Sequence, residues 1–191
     1  MPTRTSEQKR LAIGHFSYLL DQCASLLPYI AQYEAEQLYL IWDACGVKFT
    51  TDFRALCGFL IAERQRRDAH GEDFLPGWKP TETSACEHLK EVTNFIHKHR
   101  AHLSWQRFEN QNDGKFGIER WVPADYLDAG RLTAASYARI LTDYLDVLDE
   151  FIKRLPSKSD GQQLFFGAAF NARHKVNAFM GLPSPSPVLP S

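Results

Sequence analysis

"TAASYARILTDYLDVLDEFIKRL", residues 133–155, places apolar side chains at Ile140, Leu141, Tyr144, Leu145, Leu148, Phe151, Ile152 and Leu155. They recur every three or four residues, the repeat of one helix face. Asp143, Asp146, Asp149 and Glu150 fill the opposite face. A helix with one apolar stripe must bury it against other elements, so this segment predicts helix-on-helix packing. No stretch alternates convincingly with period two, so strands are expected to be minor.

Working outward, the same repeat marks further helices. Residues 6 to 26 carry Leu11, Phe16, Leu19, Leu20 and Leu26, with Ser6 placed to cap the start. Pro28 suits the first turn of a second helix, over "YIAQYEAEQLYLIWDACG", with Gly46 as its stop. A third helix is expected from the Thr50–Asp52 cluster through "FRALCGFLIAERQRR". The stretch "DAHGEDFLPGWKPTETS" reads as a loop longer than most connections. A fourth helix starts near Thr83 or Ser84, with Glu87 in capping-box position, and carries Leu89, Val92, Ile96 and Leu103 on one stripe. Turn signals at Asn112-Asp113-Gly114, Pro123 and Gly130 allow a short hairpin between residues 109 and 131. A weaker last helix covers "QQLFFGAAFNARHKVNAFMG", and "LPSPSPVLPS" lacks the periodicity to pack. The expectation is an all-α bundle of five or six helices: one domain over residues 1–180 and a disordered Pro/Ser tail over 181–191.

Composition narrows the function classes. Of 191 residues, 44% are hydrophobic and 24% charged, an ordinary globular balance, and the net charge is −1. Bulk charge of that size does not coat nucleic acid, so any such site is a local patch. Cys23, Cys45, Cys57 and Cys86 form no CxxC pair and read as small buried hydrophobes. The polar start "MPTRTSEQKR" has no signal-peptide core. The longest apolar run, "ALCGFLIA", falls far short of the ~20 residues that span a bilayer. A cytoplasmic chain with reduced thiols and no membrane contact is expected.

The chemistry-bearing stretch is "IHKHRAHLSWQR", residues 96–107, with three histidines and three cations. On a regular helix His97 and His102 stand roughly 140° apart, so they converge on one atom only if the helix ends here or a second copy supplies one of them. The HxHxxH spacing lacks the aspartate and the strand-to-loop setting of metallohydrolases, and zinc wants three or four ligands, so no metal and no other cofactor is expected. There is no GxSxG elbow, P-loop or GxGxxG. The plain alternatives are a helix-end His102 facing the negative dipole end, an exposed His97, a hydrogen-bonded His99 near the apolar stripe, and a solvated basic face at Lys98, Arg100 and Arg107. Arg64, Arg66 and Arg67 make a second basic cluster. His70, Glu72 and Asp73 are a loop group for which solvation is the simpler reading. Trp78, Trp105 and Trp121 read as core anchors.

A basic residue followed by "xxAH" late in a long helix of an all-α chain resembles the HEPN superfamily. The resemblance is closer to one bacterial branch with an NKxxAHLTxxR-type motif. Its pieces correspond here to "DFRALCGFL" (52–60), "EDFLPGW" (72–78), "HKHRAHLSWQR" (97–107) and Trp121, across about residues 35 to 155. The resemblance implies a homodimer that cuts or binds RNA without metal, in bacterial defence or toxin–antitoxin systems, with an antitoxin or other protein as partner. His102 would be the catalytic histidine. The family's arginine, five positions earlier, is His97 here, a departure that bears on catalysis because imidazole is cationic only part of the time near pH 7. Lys98, Arg100 and Arg107 would face phosphate. The competing reading is a non-catalytic helical interaction or dimerisation module.

Overall fold

The computed structural model describes residues 4–62, 68–96, 122–128 and 130–186. Among the described residues there are five α-helices: α1 (Ser6–Ala35), α2 (Tyr39–Leu60), α3 (Ser84–Phe95), α4 (Ala134–Arg154) and α5 (Asp160–Met180). No strand occurs among the described residues; the only bridge there joins Asp128 to Arg131 across a tight turn. The all-α expectation holds, and α4 occupies the centre, packing on each of the other four helices.

Where three helices are expected from residue 6 onward, the described residues 6–62 form two. The chain runs unbroken through Pro28, and the burial pattern explains why: Ile13, Phe16, Leu20, Cys23, Leu27 and Ile30 step by three and four across the proline. An interior proline costs about 3 kcal/mol. Burying Leu27 and Ile30 returns about 1.5–3 kcal/mol each, enough to keep the helix going. Pro28 itself faces solvent. Gly46 is likewise no stop. It is buried in α2, and a Cβ there would come within 2.8 Å of the Tyr137 hydroxyl, so glycine is what lets α4 approach. Thr50 and Thr51 do not cap a new helix. Their hydroxyls donate back to the carbonyls of Gly46 (2.9 Å) and Val47 (2.8 Å), as helix-interior threonines do. Asp52 pairs with Lys48 one turn earlier.

The true starts carry side-chain caps. Thr5, rather than Ser6, caps α1 in a reciprocal box with Gln8. Thr83 caps α3, Thr133 caps α4 and Ser159 caps α5. Gly181, in left-handed conformation, ends α5 as the Leu182 amide donates to the Asn177 carbonyl at 2.8 Å.

Aromatic rings tie the layers together. Phe16 (α1), Phe59 (α2), Phe151 (α4) and Phe165 (α5) meet with centroids 4.9–6.1 Å apart. Trp78 stands edge-on to Phe151 at 5.0 Å, and its indole donates to the Leu60 carbonyl at 2.9 Å. Trp78 is therefore the core anchor expected of it. The last helix looks weak in sequence because its buried side, Phe165, Ala169, Ala172 and Val176, is mostly small; that smallness lets it lie close to α1 and α4.

Candidate functional site

The loop group His70–Glu72–Asp73 is structural, correcting the expectation of a solvated loop. His70 is 6% exposed. Its Nδ1 accepts from the Glu72 amide (3.2 Å), so the ring proton sits on Nε2, which donates to the Ala62 carbonyl (3.0 Å). Asp73 accepts from the His70 amide at 3.0 Å. Both ring nitrogens are thus occupied in capping the short 3-10 turn Gly71–Asp73 and closing the end of α2. Further along, Thr81 donates through its amide (3.2 Å) and hydroxyl (2.6 Å) to Glu150, and Arg154 donates to the Lys79 carbonyl (3.0 Å). The whole loop is sewn onto α4.

His97, Lys98, Arg100, His102 and Arg107 lie outside the described residues, as do Arg64, Arg66 and Arg67, the expected continuation of α3 through residue 107, Trp105 and Trp121. The structure does define the frame that carries residues 97–121. Leu89, Val92 and Ile96 are buried along α3, the stripe read from sequence. Ile96 and Val122, the residues bordering the segment, are both buried and line one small apolar hole with Phe49, Leu132 and Ile140. The chain therefore leaves and rejoins the bundle at one place.

Beside that place sits a polar network that sequence reasoning missed. Tyr126, in the 3-10 turn Ala124–Tyr126, donates its hydroxyl to Asp143 of α4 at 2.5 Å. Burial, and then the Asp143 carboxylate, push the Tyr126 phenol well above its ordinary value, so it stays a donor. His88 of α3 stands edge-on to Tyr126 at 5.7 Å, with Nε2 3.7 Å from Asp125. Arg139 donates to the Tyr126 carbonyl (2.6 Å) and to Asp128 (2.8 Å), and Thr133 also donates to Asp128. These contacts fix the returning chain on α4. They join residues from 5 to 38 apart in the chain, separations with no periodic signature. The network's protonated phenol and paired carboxylates make it a brace rather than a proton-transfer centre.

Among the described residues, no three histidine, cysteine, aspartate or glutamate side chains gather as a metal site would. None of the helices there is long and apolar enough to cross a membrane. The four cysteines are free; Cys23, Cys57 and Cys86 are buried and Cys45 half-buried. Comparison with known proteins finds no matching family model, curated sequence or solved structure.

Proposed function

We propose that the chain is a metal-independent RNA-cleaving or RNA-binding protein of HEPN-like kind. The observation that supports this reading is the make-up of residues 97–121 on their two buried roots. Five cations and three histidines stand against three acids in a chain of net charge −1. A local basic patch of this type contacts phosphate without bulk charge. In the cleavage reaction a ribose 2′-oxygen bonds to the adjacent phosphorus and the P–O5′ bond breaks, leaving a 2′,3′-cyclic phosphate and a 5′-hydroxyl. His102 serves as the general acid/base, and His97, Lys98, Arg100 and Arg107 stabilise the charged phosphorane. DNA, lacking the 2′-hydroxyl, is spared. His97 and His102 diverge by roughly 140° on a regular helix, so a second copy supplying one of them, or a helix that ends between them, brings both to one phosphate; the homodimer is the form that goes with the resemblance. The setting that goes with the resemblance is bacterial defence, with an antitoxin or similar protein as partner.

The test is incubation of mixed RNA with the pure protein in EDTA, beside His102→Ala. Cyclic-phosphate ends in the wild type and at least hundredfold slower cleavage in the variant are expected. Equal cleavage by both, or none by either together with no RNA binding, sinks the reading.

One observation favours a second reading, a non-catalytic interaction module. Leu11, Tyr18 and Tyr29 are each more than half exposed and share one face of α1, while Leu40, 90% exposed, stands with Leu38 and Ile41 where α2 begins. Such apolar exposure marks contact surfaces. A dimer that dissociates on Leu40→Glu, in a protein that leaves RNA untouched, would select this reading.

A further inference from the structure

We propose that the exposed face of α1 is the seam of a homodimer, in which two copies of the helix pack antiparallel about a two-fold axis near residue 20. The proposal deepens the self-association that both readings of function carry. At about 100° per residue, Leu11, His15, Tyr18, Gln22, Tyr29 and Gln32 fall within about 60° of one line along the helix. Leu11, Tyr18 and Tyr29 are 68%, 55% and 53% exposed, and His15 and Gln32 are exposed beside them. Between residues 8 and 35 no Asp, Glu, Lys or Arg of α1 lies within that band. The charges at its border, Asp21 and Lys175 of α5, neutralise each other in an ion pair. A solvated helix face ordinarily carries charge. A long uncharged face with tyrosines and a leucine has instead the composition of an interface core.

The face is large enough to hold a pair together. With about 200 Å² for a fully exposed side chain of this size, Leu11, Tyr18 and Tyr29 offer about 350 Å² in each copy and about 700 Å² in two. His15, Gln22 and Gln32 lie on the same strip, which is about 45 Å long for 30 residues. They carry the total past the roughly 1,000 Å² that a specific interface needs. A second copy is the occupant because the strip matches itself, as a two-fold interface requires. Turned end for end about residue 20, Leu11 meets Tyr29 of the partner subunit, and the same contact recurs across the axis. Tyr18 comes beside the partner subunit's Gln22, whose amide carbonyl accepts from the phenol. Gly14 lets the backbones approach. A helix-interior glycine weakens its helix, and nothing in the subunit comes within 4 Å of the place a Cβ would take at Gly14. In the pair Gly14 falls level with Ser25 of the partner subunit, another small residue. No contact inside the subunit uses that glycine, whereas a helix laid across it does.

The test is analytical sedimentation of the full chain beside Leu11→Glu, Tyr18→Glu and Gly14→Gln, each checked for unchanged helical ellipticity. The wild type is expected to dimerise in the micromolar range. Each glutamate, buried twice in the seam, should raise the dissociation constant by about a hundredfold or more, and Gly14→Gln by about tenfold through overpacking. In a Cys45→Ser background, Leu11→Cys mixed with Tyr29→Cys should be joined by a short bis-maleimide severalfold faster than either variant links to itself. A wild type that stays monomeric into the millimolar range overturns the proposal. So does a dimer indifferent to both glutamates, one that Leu40→Glu dissociates while Leu11→Glu does not, or faster self-linking of Leu11→Cys than of the mixed pair. RNA cleavage by a chain that stays monomeric removes this seam and leaves the cleavage reading standing. A dimer with the expected responses that leaves RNA untouched keeps the seam and removes cleavage.

Discussion

Gly46 and Gly14 are both helix-interior glycines, and their surroundings reverse the sign of the same substitution. A methyl at Gly46 meets the Tyr137 hydroxyl at 2.8 Å, whereas nothing lies within 4 Å of a methyl at Gly14. Gly46→Ala is expected to lower unfolding free energy in urea by about 1–3 kcal/mol through overpacking, and Gly14→Ala to raise it by about 0.5–1 kcal/mol through helix propensity. Asp128 offers a pH readout. The Thr133 hydroxyl, opposed next by desolvation and aided by the Arg139 guanidinium, holds its carboxyl below the ordinary 3.8. A carboxyl with a lowered folded value stabilises the fold above 3.8 and loses that contribution as pH falls through its folded value. Asp128 is about two-fifths exposed, so solvent screening limits Asp128→Ala to roughly 1 kcal/mol at pH 7. Urea titrations of wild type and variant should draw together as pH falls below the ordinary 3.8, and a gap that stays constant across that fall would refute the assignment.

Pro28 carries the main test for the helices. It sits mid-helix on the solvent side of α1, so Pro28→Ala restores an amide donor without touching the core. The gain should be about 2 kcal/mol, the helix cost of proline less the entropy it removes from the unfolded chain, seen as a higher melting temperature with unchanged helical ellipticity. The helices that read most clearly from sequence are those with one wet face. The acids of α4 outline its apolar stripe, and Thr83 and Thr133 announce starts that the structure keeps. The first two helices were harder to divide because Pro28, Gly46 and Thr50–Thr51 are local stop or start signals, overruled by burial on either side. The candidate site was legible only as composition at residues 97–107. The Tyr126–Asp143 bond and the His88–Asp125 contact join residues far apart in the chain, and only the fold brings those partners together.

Across the whole molecule, thiol chemistry reports on how tightly the helices close. Burial pushes the Cys57 thiol up to about 12 and raises Cys23 well above its ordinary value, and Cys86 is also raised and buried. At pH 8 the Cys57 thiolate is then on the order of one molecule in ten thousand. Mass spectrometry after maleimide treatment of the native protein should find Cys45 alone modified, and all four sites after denaturation; rapid native labelling of Cys57 would show that α1, α2 and α3 separate readily. The shared burial of Ile96 and Val122 has a consequence of a different kind. A polypeptide detour whose entrance and exit coincide can double in length for only about 0.6 kcal/mol of closure entropy. Closure entropy therefore sets little limit on the length of chain that can join Ile96 to Val122, which makes this bundle a tolerant host for grafting unrelated recognition sequences at that junction.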